Sequence, residues 1–256
     1  MANNTTKKST KAMRPADPGY SGPNYFGNGL DLHLPSRAER KIARFSKGHF
    51  TGRIVASGGD GDGDDGYSAG HLIMVESHLE FCWCLVLLAR RATADVREQA
   101  AFDWQDRDGK VHTHFFDFLV TERDGKRIAC AVRPASRTGG RFGATMPRIA
   151  HQARQRGFAH DVRLLTDDDL DQVDLFNAKL MHGMRQPHPE ADIAAERAVS
   201  EMPGIAVIED LVRRIGMGAD GYRAVVRLIR RHHLRLLDHV RIGYQAAVYA
   251  APAHRV

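Results

Sequence analysis

The hydrophobic and polar positions of the central part of the chain predict helices and strands in alternation. Residues 68–91, SAGHLIMVESHLEFCWCLVLLARR, have the length and apolar density of a mostly buried helix. Two Asp-Gly turn signals, RDGK and ERDG, then separate three strand-like segments. These segments are residues 96–104, 111–120 and 127–133. A helix over 146–156 and a strand over 161–165 complete a pattern that indicates an α/β domain.

The pattern changes after residue 166. Residues 167–203 are typical of helices joined by the proline-rich RQPHPE, with Thr166 or Asp167 as the first cap. A helix ending at Gly216 and a second helix follow, and then two β-rich segments. The second helix is predicted over 220–231 and the β-rich segments over 234–237 and 246–249. Helix, turn, helix and hairpin is a winged-helix pattern, so we expect a helical connection over 167–203 and a winged-helix-like domain over 204–256.

The amino-terminal part lacks apolar periodicity. Residues 1–50 are rich in Asn, Thr, Lys, Pro and Gly, and we expect a largely flexible basic arm. Residues 57–70, SGGDGDGDDGYSAG, form a Gly/Asp-rich loop. Three acids match the start of an EF-hand loop, but Asp65 stands at the required glycine and His71 at the closing glutamate. A solvated acidic loop is therefore favoured over a calcium loop. The three matching acids are Asp60, Asp62 and Asp64.

Composition and charge favour a polyanion-binding protein of the cytoplasm. The chain of 256 residues is 43% hydrophobic, and its formal net charge of +6 would attract nucleic acid. Three cysteines provide no zinc quartet, and their odd number argues against a disulfide framework. The most apolar run, FCWCLVLLA, is shorter than the roughly 20 residues that span a bilayer, and the N-terminus has no secretory signal.

One hairpin carries candidate chemistry. The stretch HFFDFLVTERDGKRIACAVRP, residues 114–134, has an acid, Asp117, at the end of its first strand and a cation, Arg133, on its second. Glu76 and Glu80 are four residues apart, so they project from one face of the preceding helix. Metal-dependent phosphodiester hydrolysis needs carboxylates that hold a cation, a positioned water, and positive charge beside the phosphate. These four side chains are of the types that this chemistry uses.

Each residue also has a structural interpretation. Asp117 is compatible with a polar position near a hairpin, and Glu76 and Glu80 with the solvated face of a helix. His112 and His114 share one face of a strand at a spacing that could bind a metal. Two histidines without a third ligand are more often ordinary polar strand residues.

The order of four short motifs resembles the TnsA-type transposon endonucleases, a branch of the restriction-endonuclease-like (PD-(D/E)xK) superfamily. The motifs are ESHLE, VREQAAFDW, FFDFLV and CAVRP, and TGR at residues 51–53 is also similar in kind. The resemblance covers about residues 51–165. It implies a restriction-endonuclease-like core over 51–166, a mixed sheet flanked by helices. The helical and winged-helix regions would correspond to the accessory domain of that family.

The resemblance also implies a metal site. Glu80 and Asp117 would be the acids that hold Mg²⁺ or Mn²⁺, and Val132 would contribute its main-chain carbonyl. Glu98 and Gln99 match the Glu-Gln dipeptide of the family, with a structural role or a place in the lining of the site. Glu76 is a possible additional acid.

Three positions depart from the family pattern. Phe116 replaces the proline, Ala131 replaces the acid or amide, and Arg133 replaces the lysine. Ala131 has no side-chain ligand, so one anchor of the metal is missing. Arg133 keeps the positive charge and can clamp a phosphate, but it stays protonated and cannot act as a general base.

These observations leave three functions open. The first is a metal-dependent DNA endonuclease that works in transposition or mobile-element DNA processing, with DNA and other transposase subunits as partners. The second is a catalytically degenerate nuclease-fold protein that binds DNA or serves assembly. The third is a winged-helix transcription regulator. The candidate DNA contacts on the second helix of the tail are Arg223, Arg227, Arg230 and Arg231.

Overall fold

The computed structural model describes residues 33–42, 48, 50–56 and 70–251. In chain order its elements are β1 (Gly52–Ala56), β2 (His71–Val75), α1 (His78–Ala89), β3 (Thr93–Gln105), β4 (Val111–Glu122), β5 (Arg127–Val132), α2 (Gly140–Gln155), β6 (Asp161–Leu165), α3 (Gln172–Gly183), α4 (Pro189–Ser200), β7 (Ile205–Val207), α5 (Ile208–Ile215), α6 (Gly218–Arg230), β8 (Leu234–Leu236) and β9 (Ala247–Ala250). Within the described residues they form an α/β structure with a mixed four-stranded central sheet flanked by helices.

The central sheet confirms the strands that the turn signals predict. Its order is β3-β4-β5-β6, in which β3, β4 and β5 run antiparallel and β6 is parallel to β5. Helix α2 connects the parallel pair and begins at Gly140, earlier than the predicted start at residue 146. Val96, Phe118 and Cys130 pack in one core with α1. Ala100, Phe116 and Ala129 pack in another with α2.

The alternation of side chains changes phase near the middle of β3 and β4. Phe116 and Phe118 are two residues apart, yet they belong to different cores, which regular strand alternation does not allow. The same change occurs on β3 around Gln99, whose φ of 48° lies in the left-handed region. The register pairs Glu98 with Phe118 and Ala100 with Phe116. Gln99 therefore stands across from Asp117 at this irregularity. Asp117 lies within β4 and not at the strand end that the sequence predicts.

The predicted helix over residues 68–91 is wrong in its first half. Residues 71–75 form β2, which pairs antiparallel with β1 and buries Ile73 and Val75 at alternate positions. Ser77 then caps α1, because its hydroxyl oxygen accepts the Glu80 N–H. The cap separates a strand from a helix where the apolar run is continuous.

The predicted helical connection divides between two cores. Helix α3 packs on α1 through Leu175 and Ala178, whereas Ala191 and Ala195 of α4 pack with α5 and α6. Neither Thr166 nor Asp167 caps α3; Asp171 does, accepting two backbone N–H groups of its first turn. The Thr166 side chain instead bonds Asp169 in the preceding turn.

The C-terminal unit comprises α4 to α6 and a three-stranded sheet of order β7-β9-β8. Helix α5 ends at Gly216 as predicted, with the glycine at a φ of 73°. The two β-rich segments of the tail form β8 and β9, and β7 is a strand that the pattern does not predict.

Residues 33–42, which we call the strap, bind along β3 although the sequence places them in a flexible arm. The Ser36 hydroxyl donates to Glu98, and the Arg37 guanidinium pairs with Asp95 at 2.6 Å. Ile42 is buried at the end of the strap. Residues 1–32 of the predicted arm and residues 57–69, which hold the acids of the calcium pattern, lie outside the described residues.

Candidate active site

Several residues of the predicted site line one cleft beside the end of β5, with a volume of about 270 Å³. The chain brings them together because β4 and β5 are adjacent and antiparallel, so Asp117 stands beside Ala131. The lining consists of Arg40, Gln99, Thr113, His114, Phe115, Asp117, Ala131, Arg133 and Phe142. Of these, Arg40 is supplied by the strap and Phe142 by α2.

Asp117 is the central acid of the cleft. Its Oδ2 accepts the Val132 N–H at 2.7 Å, and its Oδ1 accepts the Gln99 amide at 3.3 Å. Burial and the nearby negative charge of Glu80 raise the pKa of Asp117 to about 6, against the two hydrogen bonds and the positive charge of Arg133, which lower it. Two carboxylates thus act on each other where the resemblance implies a metal.

Glu80 lies in the first turn of α1 and near Asp117. Its Oε1 accepts the Ser77 hydroxyl and its Oε2 accepts the Glu76 N–H, each at 2.9 Å. Together with the bond from the Glu80 N–H to Ser77, this is a variant of the capping box, in which the glutamate accepts the N–H of Glu76 instead of that of the cap residue Ser77. Each carboxylate oxygen retains a further acceptor site. Glu80 is not part of the cleft lining itself.

Arg40 is a site residue that sequence reasoning missed. Its Nε donates to Gln99 Oε1 at 2.6 Å, and its guanidinium pairs with the carboxylate of Glu76. Glu76 is therefore engaged by the strap. Arg40 stands in a segment without periodicity, and no local signal connects it to Gln99, which is 59 residues away.

The two residues of the Glu-Gln dipeptide, Glu98 and Gln99, have different roles. Gln99 lines the cleft, whereas Glu98 does not. Glu98 is only 1% exposed, and one of its oxygens accepts the Ser36 hydroxyl. Its other carboxylate oxygen has no hydrogen-bond partner among the described residues. Glu98 thus contributes to fixing the strap.

Arg133 presents an exposed positive charge at the rim of the cleft. Its guanidinium carbon lies 4.8 Å from the centre of the Phe142 ring, a cation–π geometry that steadies the side chain. Its backbone N–H donates to Leu165 O at 3.0 Å and so anchors the residue beyond the end of β5. The arginine is available to a phosphate at the rim.

The two histidines of β4 do not form a metal pair. His112 pairs with Asp106 at 2.7 Å and stacks on Trp104, away from the cleft. His114 lines the cleft, and burial together with the charge of Arg133 lowers its pKa to about 4. At neutral pH His114 is therefore uncharged.

The prediction of four DNA-contacting arginines on α6 is wrong for Arg227, which is 3% exposed and pairs with Asp192. Arg231 is nearly buried beside Asp192 and Glu196. Arg230 lines a separate cavity, and Arg223 is exposed and pairs with Asp220. The four side chains form no common exposed face, because α6 packs on several neighbours and leaves little surface.

Two other features lie apart from the cleft. A cavity of about 330 Å³ is lined by the strap, β1, α1, β3, α3 and α6, and its lining includes Arg37, Arg123 and Arg230. Asp171, Asp174 and His239 form an exposed group that could hold a metal ion. Asp171 is already the cap of α3, and exposed acidic groups are common without a metal.

Cys82, Cys84 and Cys130 are buried and free. Among the described helices, none has the length and apolar character needed to cross a membrane. Comparison of the chain with protein-family models gave no matching family, and comparison with curated proteins gave no match.

Proposed function

We propose that this protein is a DNA endonuclease of the TnsA-like kind, which hydrolyses phosphodiester bonds with a divalent metal during transposition or mobile-element DNA processing. The order α1, β3, β4 and β5 supports the proposal, since the resemblance implies a helix followed by three strands around the site. So does the place of Asp117 at the irregularity of β4 and of Arg133 at the end of β5.

One observation carries the proposal: the buried Asp117 carboxylate lines a cleft beside Arg133, and burial together with the negative charge of Glu80 raises its pKa. A divalent cation would relieve this repulsion. Mg²⁺ commonly binds through one or two carboxylates and keeps several waters and phosphate oxygens. Asp117 and Glu80 would therefore hold Mg²⁺ or Mn²⁺, and the Val132 carbonyl would be a further ligand. When bound, the metal would polarise a phosphate oxygen and lower the pKa of a bound water.

The residues around Asp117 perform the other tasks. The Val132 N–H and the Gln99 amide stabilise the ionised form of Asp117, which is the form that a metal binds. Arg133 would neutralise the charge that develops on the scissile phosphate. The positive net charge of the chain would draw DNA toward the cleft in a salt-dependent way.

Plasmid nicking tests the proposal. We expect Mg²⁺- or Mn²⁺-dependent nicking by the native chain and its loss in Asp117→Ala. Asp108→Ala is the matched control, because the exposed Asp108 carboxylate lies in the turn between β3 and β4 and outside the cleft. Absence of cleavage with either metal, alone and with partner subunits, would contradict the proposal.

The properties of Ala131 favour a second function, DNA binding without hydrolysis. This residue is 2% exposed, lines the cleft and offers no oxygen, and both Glu80 oxygens already serve the helix cap. A nuclease fold that has lost hydrolysis would bind DNA tightly and salt-sensitively without cutting it. The double variant Ala131→Glu/Arg133→Lys separates the two functions. If it cuts while the native chain does not, the native site is degenerate.

We also propose that the C-terminal unit is a winged-helix accessory domain. The order α4, β7, α5, α6, β8, β9 and the sheet order β7-β9-β8 support it. Because Arg227 is buried in a pair with Asp192, the helix α6 is a poor reader of DNA. Contact with another transposase subunit therefore suits this unit better than transcription regulation. DNA footprinting tests this preference. A footprint at one preferred DNA site that is lost in Arg223→Ala would favour transcription regulation instead.

A further inference from the structure

The cavity of about 330 Å³ that lies apart from the cleft combines apolar walls with positive charge. Arg37 reaches it from the strap, Arg123 from the turn after β4, and Arg230 from the end of α6. Helices α1 and α3 and strand β3 supply apolar walls. Their apolar side chains are Leu85, Leu88, Ala89, Val96, Ala178 and Met181.

Positive charge exceeds negative charge on the described lining. Three arginines line the cavity, and Asp95 is the one acid among the described lining residues. Asp95 is taken up by Arg37, whose two terminal nitrogens donate to the carboxylate oxygens at 3.0 and 2.6 Å. The charges of Arg123 and Arg230 therefore set the sign of the cavity.

Arg230 also lies in a cluster of like charges. Burial and the positive charges of Arg185 and Arg230 lower the pKa of His182, another lining residue, to about 4. Burial and Arg230 likewise lower the pKa of Arg185. A negative charge in the cavity would offset the mutual repulsion of these groups.

Two buried nitrogen atoms of the lining residues have no hydrogen-bond partner among the described residues. They are Arg37 Nε and His71 Nδ1. Buried polar groups are nearly always hydrogen-bonded, and an exception calls for an explanation such as a bound ion or water. An anionic oxygen at this wall would supply an acceptor for Arg37 Nε, which can only donate.

We propose that this cavity binds a small organic monoanion, a carboxylate group on an apolar chain. Small-molecule sites start at about 300 Å³ and are mostly apolar, with a few charged groups that fix orientation. A single negative charge is favoured because Asp95 would repel a second one. The described lining holds no Phe, Tyr or Trp on which a nucleobase would stack. Such a site is independent of the proposed nuclease function.

Calorimetric titration of the full chain with octanoate tests the proposal. Octanol has the same chain without the charge, and acetate has the charge without the chain. We expect one octanoate to bind per chain, at least about tenfold more tightly than octanol or acetate, because each lacks one part of the recognition. Absence of saturable octanoate binding would overturn the proposal, as would equal affinity for octanol or for acetate.

Arg230→Met locates the charged end of the site. It keeps an apolar stem and removes one cation, so we expect octanoate binding to weaken by at least about tenfold. Arg214→Met is the matched control, because Arg214 is exposed on α5, lies outside the cavity and carries the same charge. Equal weakening in both variants would mean general attraction to a basic chain and would overturn the proposal.

Ala89→Leu locates the apolar end. The larger side chain would occupy space in the cavity, and we expect it to weaken octanoate binding without changing the charge. Thermal unfolding of each variant reports whether it is folded. If Arg230→Met does not fold, Arg123→Met removes the other cation and should weaken binding to a similar degree. Unchanged octanoate binding in folded Ala89→Leu would place the ligand elsewhere and overturn the proposal.

Discussion

Arg227 of α6 and Asp192 of α4 form an ion pair in the interior of the C-terminal unit. The Arg227 Nε lies 2.7 Å from Asp192 Oδ1, and the two side chains are only 4% and 10% exposed. Asp192 also accepts the backbone N–H of His188, the cap residue of α4. The pair therefore connects two helices of this unit rather than offering a cation to DNA.

Removing one member of this pair should be costly. We expect Asp192→Ala to lower the free energy of unfolding by about 3–5 kcal/mol, because it leaves a buried guanidinium uncompensated. Urea unfolding measures the loss. Arg223→Met is the control, since Arg223 pairs with Asp220 on the surface, where such pairs are worth less than about 1 kcal/mol. Equal losses in both variants would contradict the interior role of the pair.

Asp117→Asn should gain stability relative to the native protein as pH rises. The folded-state pKa of Asp117 is raised from 3.8 to about 6, so the folded protein binds a proton more tightly than the unfolded chain. Its contribution to stability therefore falls as pH rises through that window. We expect the stability of the variant relative to the native protein to rise by about 3 kcal/mol between about pH 4 and about pH 7.5, as measured by urea unfolding. The amide also places an N–H against a donor, Val132 or Gln99, and this cost is the same at every pH. A difference that does not change with pH would contradict this origin.

Glu80→Gln should separate the cap of α1 from metal binding. Glutamine keeps one oxygen for the cap, and it loses both the second acceptor and the repulsion of Asp117, so the two effects oppose each other. We expect the free energy of unfolding to change by less than about 1 kcal/mol. A neutral amide binds Mg²⁺ more weakly than a carboxylate, so we expect nicking to fall by at least about tenfold. Parallel unfolding and nicking assays check both expectations. Unchanged nicking would contradict a metal-binding role and would mean that Glu80 serves only the cap of α1.

Ser36→Ala should loosen the strap. Glu98 is buried, its second oxygen has no partner in the described residues, and the Ser36 hydroxyl serves the first. We expect a loss of about 1–3 kcal/mol on urea unfolding, the cost of leaving a buried acceptor unpaired. Faster hydrogen exchange around residues 33–42 should accompany it. An unchanged free energy of unfolding in Ser36→Ala would mean that this contact of the strap adds little to stability.

The sequence by itself determined the central strands and the neighbourhood of Asp117 and Arg133. Alternating side chains and Asp-Gly turns are local signals of backbone conformation, and the register of a hairpin follows from them. Gly216 marked the end of α5 for the same reason, since a left-handed φ favours glycine. The helix over 68–91 was wrong because apolar density does not distinguish a buried strand from a buried helix.

Only the tertiary structure decided which distant side chains meet and which charges are buried. Arg40 reaches Gln99 across 59 residues because the strap packs along β3, and no local pattern encodes that contact. Arg227 resembles its neighbouring arginines in the sequence, but α4 covers it and supplies Asp192. Local periodicity specifies the conformation of a segment, whereas burial and pairing depend on which faces of separate segments pack together.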